Sequence, residues 1–102
     1  MQVEFFTNRM REFVVTFDQE TRNHIDELVL LLEEKGASLR MPFSKFIGYG
    51  IFELRAIGTT HVRLLYCFHD NKAIILNIVI KKQNKLNNKD ILLARTRKGL
   101  LA

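Results

Sequence analysis

Apolar positions recur at helical spacing between residues 18 and 36 and form strand-like runs between residues 51 and 80. The run from Val3 to Phe6 is short and apolar and predicts a strand. Thr7 or Asn8 then caps a short helix from Arg9 to Thr16, although Phe13-Val14-Val15 carries β propensity. Asp18 is a stronger start signal, with Glu20 in the first turn, where the helix dipole favours an anion. Ile25, Leu28, Val29 and Leu32 then recur at i, i+3, i+4 and i+7, an amphipathic stripe that stops at Gly36. Residues 36–50 read as a linker that holds the only proline, Pro42. Beyond it, residues 51–55 alternate apolar with charged, and residues 61–68 are β-branched and aromatic. Residues 72–80 form a near-continuous aliphatic run, as expected of a strand covered on both faces. Ile57-Gly58-Thr59-Thr60 and His69-Asp70-Asn71 supply the turns, and Asn88 caps a last helix from Lys89 towards Leu100. The fold class expected is α+β: a small antiparallel sheet flanked by N-terminal helices, with a short C-terminal helix, as one domain over residues 1–102.

Alternation along the strands sorts side chains by face. Phe52 and Leu54 take one side while Glu53 and Arg55 take the other. Val62, Leu64, Tyr66 and Phe68 form an apolar set, opposite His61, Arg63, Leu65 and Cys67. With the apolar sets against the helices, Arg55 and Arg63 share an open face. The third long strand is apolar on both sides, so its register depends on the turn. A two-residue Asp70-Asn71 turn brings Lys82 to the face of Arg63, and a three-residue turn brings Lys81. Both alternatives stand on the sequence.

An apolar fraction of 47% with eight Phe suffices for a packed core. No apolar run approaches the ~18 residues of a membrane helix. A single Cys67 forbids an internal disulfide and leaves no zinc set. The expectation is a cytoplasmic protein without a metal or other cofactor. Net charge is +5, unevenly spread: residues 1–36 carry four Lys/Arg against eight Asp/Glu, and residues 81–102 seven against one. Such asymmetry gives two faces with different partners, the basic one suited to a polyanion.

The cations recur at strand ends and in the last helix: MPFSKFIGYGIFELR (41–55), HVRLLY (61–66), IVIKKQNK (78–85) and KDILLARTRK (89–98). Each taken singly has a duller office, as a cross-strand ion pair, a solvated charge or an edge-protecting lysine. Together, arginine and lysine on a rigid sheet suit the gripping of a phosphodiester, because the guanidinium fork binds two phosphate oxygens and stays charged. The pattern resembles the HigB-like branch of the RelE/ParE toxin superfamily, over nearly the whole chain and most densely from Met41 onward.

The resemblance implies a RelE-like fold and a ribosome-dependent endoribonuclease that cuts mRNA without a metal. It favours Lys81 over Lys82 on the face of Arg63. Arg63 and Lys81 are then expected to carry the reaction, with Arg55 and Lys82 supporting phosphate binding. Lys45, Lys85, Arg95, Arg97 and Lys98 are expected to meet ribosomal RNA through charge alone. Tyr66 matches a family position, yet its parity with Val62 and Leu64 points it into the core. A small helix-turn-helix antitoxin of the HigA type is the partner implied, beside the ribosome and mRNA. Two other readings remain, a ParE-like poison of DNA gyrase and a non-catalytic basic protein that binds nucleic acid.

Overall fold

Nine elements follow one another in the computed structural model, which describes residues 1–81 and 86–102. The expected contributions of Lys82 and Lys85 lie outside the described residues. The order is β1 (Gln2–Phe5), α1 (Asn8–Val15), α2 (Gln19–Lys35), a 3₁₀ turn (Gly36–Ser38), β2 (Ser44–Gly48), β3 (Ile51–Ile57), β4 (His61–His69), β5 (Lys72–Ile80) and α3 (Asn88–Gly99). The strands form one sheet in the order β1-β5-β4-β3-β2. Strands β2 to β5 run as an antiparallel meander, while β1 lies parallel to β5. The class is α+β as expected, but the sheet is mixed rather than purely antiparallel. Among the described residues, no helix is long and apolar enough to cross a membrane.

Helix α2 starts where the sequence signals it. The Asp18 carboxylate accepts from the Thr21 amide at 3.2 Å and from the Thr21 hydroxyl at 2.6 Å. Those bonds, the hydroxyl's first, hold the Asp18 carboxyl below its ordinary value. Gly36 ends the helix with φ 54°. Its stripe buries Ile25, Leu28 and Leu32 against the sheet, each worth about 1.5–3 kcal/mol of transfer free energy. Helix α1 forms despite Phe13-Val14-Val15, because Met10 and Val14 are buried on its inner side and that packing outweighs propensity.

The stretch expected as a linker contains β2. It is an edge strand bonded on one side only, with Lys45 and Phe46 exposed, so it lacks the apolar alternation of a covered strand. Tyr49 (φ 55°) and Gly50 (φ 72°) make the tight turn into β3.

Two cores lie on opposite sides of the sheet. Leu54, Ala56, Val62, Leu64 and Tyr66 pack with α1 and α2 on one. Ile51, Leu65, Cys67, Ile74 and Leu76 pack with Ala94 and Leu101 on the other. The face expected to be open is therefore covered in part by α3. What remains is a cleft at the end that carries Arg55, Arg63 and Lys81.

The register of β5 departs from both turn-based expectations. His69 pairs with Lys72, and Asp70 (φ 50°) and Asn71 (φ 60°) form a two-residue turn of the kind that positive φ at both positions requires. Yet Tyr66 pairs with Ile75 while Leu65 pairs with Asn77, which leaves Leu76 as an extra residue in a β-bulge. Past it Arg63 pairs with Val79, and the Lys81 amide donates to the His61 carbonyl at 2.8 Å. The bulge, not the turn, brings Lys81 to the face of Arg63.

Candidate active site

Cross-strand pairing sets the charged side chains in three successive rows on one face. Lys45 lies opposite Glu53, Glu53 opposite Leu65, and in the next row Arg55 opposite Arg63. Lys81 extends β5 beside His61 in the row after that. Strand parity and the bulge thus bring Lys45, Glu53, Arg55, Arg63 and Lys81 together on three consecutive antiparallel strands and the end of a fourth.

Glu53 sits between the two arginines. Its Oε1 is 3.5 Å from Arg55 Nε and 3.6 Å from Arg63 Nε. Glu53 is only 4% exposed and Arg63 only 3%. Neither Nε finds a hydrogen-bond acceptor among the described residues, and Arg63 Nη1 makes one long bond of 3.4 Å to the Val62 carbonyl. Buried charge needs a partner, and one carboxylate serves two guanidiniums here. The excess positive charge is held where water screens it poorly, so an arriving anion is attracted strongly.

A cleft of about 360 Å³ opens above this pair, lined by Lys45, Ile47, Glu53, Arg55, Lys81, Leu86, Asn88 and Ile91. Its far wall is the start of α3, where the Asn87 side chain accepts from the Lys89 amide at 2.9 Å. Burial, then the charge of Arg63, pushes the Lys81 ammonium below the ordinary lysine value of 10.5; Arg55 and Lys45 add to this and Glu53 opposes it. Burial also lowers Arg63, against the opposing charge of Glu53. Chemically, the cleft offers fixed cations for a dianionic oxygen cluster and one amine with a weakened hold on its proton.

Of the residues expected at the site, Lys45, Arg55 and Lys81 line the cleft. Arg63 lies beneath them, 3% exposed. Arg95 and Lys98 are on the same side of the sheet but towards the β2–β3 turn. There the Arg95 guanidinium stacks 3.8 Å over the Tyr49 ring, and Lys98 lies against Gly50, whose missing Cβ would sit 3.1 Å from Lys98 Cε. Arg97 is half-buried and donates to the Leu76 carbonyl at 2.8 Å. Tyr66 is enclosed in the core shared with α2, its hydroxyl 2.5 Å from Ser44 Oγ, and burial raises its pKa. Cys67 is buried in the other core, which pushes its thiol up. Glu53 is the site member that candidate-picking by cationic character passes over; its signal was a carboxylate sharing strand parity with Arg55. Among the described residues, no group of three or more His, Cys, Asp or Glu is arranged to hold a metal.

The family model described as "Phage derived protein Gp49-like (DUF891)" matches residues 12–99, a span that includes every residue of the cleft. No curated protein matches the chain.

Proposed function

We propose that this chain, which belongs to the Gp49-like family of phage-derived proteins, is the toxin of a type II toxin–antitoxin pair and cuts mRNA on the ribosome. The observation that carries the reading is the cleft itself: Lys45, Arg55 and Lys81 around one cavity, with Arg63 and Glu53 packed beneath. The sequence resemblance to HigB-like proteins of the RelE/ParE superfamily supports it.

Cleavage without a metal needs the ribose 2′-hydroxyl to attack its own phosphate. The 2′-oxygen forms a bond to phosphorus, the bond to the 5′-oxygen of the next nucleotide breaks, and a 2′,3′-cyclic phosphate remains. Arg55 and Lys45 hold the non-bridging oxygens as charge builds on the phosphorane. Neutral Lys81 takes the 2′-hydroxyl proton, a role its depressed pKa suits, and a solvent water gives a proton to the departing 5′-oxygen. Arg63 and Glu53 act from below, fixing the Arg55 side chain and keeping positive charge under the phosphate. The ribosome places the substrate, Arg95 and Lys98 contact its RNA through charge, and a HigA-like helix-turn-helix antitoxin restrains the activity in the cytoplasm.

Expression of the chain with Arg55→Gln and Lys81→Gln tests this directly. Growth arrest and codon-localised mRNA breaks are expected from the parent chain. Each single variant is expected to lose about 10²–10³ in cleavage rate. Full activity in the double variant would overturn the assignment. Gyrase-trapped DNA breaks in place of mRNA breaks would support the ParE-like alternative, and RNA binding without cleavage a non-catalytic role.

A further inference from the structure

We infer that Asn77 and Arg97 are positioning residues, which lock the bulge at Leu76 and thereby keep Lys81 on the face of Arg55 and Arg63. Its catalytic consequence rests on the function proposed above; the register it concerns does not. Were the pairing set by the two-residue turn to continue without the bulge, Arg63 would face Ile78 and His61 would face Ile80. Lys81 would then turn to the side covered by α2. Burial hardly distinguishes the two arrangements, because Ile78-Val79-Ile80 is apolar on both faces. Ile78 packs on one core and Val79 on the other, and exchanging them moves little apolar surface.

Polar groups make the choice. In the bulged register the Asn77 amide faces α3: Nδ2 donates to the Asp90 carbonyl at 3.3 Å, and Oδ1 accepts from the Ile78 amide at 3.0 Å. In the unbulged register Asn77 would stand opposite Leu64 and enter the core beneath α2, where Leu64 is fully buried among apolar side chains. The bulge in turn takes Leu76 out of the pairing ladder. Its carbonyl accepts from Arg97 Nη1 at 2.8 Å, and the Arg97 guanidinium lies 5.6 Å from the centre of the Phe6 ring. A buried carbonyl without that donor would be costly to keep. Helix α3 thus holds the bulge from both ends, through the Asp90 carbonyl in its first turn and Arg97 in its last.

The test combines a register readout with a rate. In the Asn77→Val, Arg97→Ala double variant, NMR cross-strand contacts are expected to pass from His61–Lys81 to His61–Ile80. Single-turnover cleavage on programmed ribosomes is expected to fall about 10²-fold with KM little changed, since Lys45 and Arg55 still hold the RNA. Arg97→Lys, which keeps a donor, is expected to retain the parental register. Deleting Leu76 makes Ile75 and Asn77 consecutive opposite Tyr66 and Leu65, so Lys81 returns opposite His61 with no bulge left to lock. In that background Arg97→Ala is expected to leave the register unchanged. Retention of the His61–Lys81 contact in the double variant would overturn the inference. So would an Arg97→Ala effect of equal size with and without Leu76, a comparison that still decides should the double variant fail to fold. A register that shifts as expected in a chain that never cuts RNA would leave the positioning intact and sink the proposed function.

Discussion

At Lys81, burial and the neighbouring guanidiniums disfavour the ammonium, so its folded pKa lies below its unfolded value of 10.5. The charged form therefore costs the fold stability at every pH below the folded value, and that cost fades as pH rises from there towards 10.5. With neutral Lys81 as the base, the single-turnover rate should climb with pH and level off short of 10.5. Lys81→Arg, charged throughout, should lose that limb while binding RNA as before; a rate profile across pH checks this. Tyr66 belongs to stability instead. Tyr66→Phe strands the Ser44 hydroxyl in the core and should cost about 1–3 kcal/mol in denaturant unfolding, with cleavage unchanged. Strand alternation was enough to put Arg55 and Arg63 on one face and Tyr66 on the other. It did not disclose how deep each would lie, because depth depends on which helix covers which end of the sheet. Hence Arg63, the residue first in line for contact, lies under the cleft, and Glu53 emerges as the carboxylate that makes its burial tolerable.

Among the elements, α2 was fully legible: an N-cap, a stripe at helical spacing and a glycine stop all lie within twenty residues and depend on nothing distant. Strand β2 was not, since an edge strand with one neighbour needs no apolar alternation. The bulge in β5 was also hidden, for the aliphatic run 72–80 fits either register and the deciding contacts come from Asp90 and Arg97 in another element. Helix α3 begins one residue earlier than the capping signal indicated, with Asn87 rather than Asn88 as the cap. Asn87→Ala should lower stability by about 1 kcal/mol in thermal or urea unfolding. Because Asn88 and Ile91 form one wall of the cleft, the same change should weaken RNA binding more than a surface substitution of equal stability cost.

At the scale of the whole molecule, Arg95 and Lys98 extend the cationic cleft along α3 as far as the β2–β3 turn. Replacing both with Gln should reduce the slope of log affinity against log salt by about 0.7–0.9 per lost phosphate contact, measured as ribosome association, with the rate at saturating ribosomes preserved. The broad division of charge was readable from composition, but its separation by the sheet was not, since that depends on which side each helix packs. Acid-rich α2 covers one side and basic α3 the other, with a layer of strands between them. The protein therefore carries an electric moment directed through its sheet. In the field of any polyanion that moment experiences a torque from about a Debye length away, one that turns the cleft towards the negative charge.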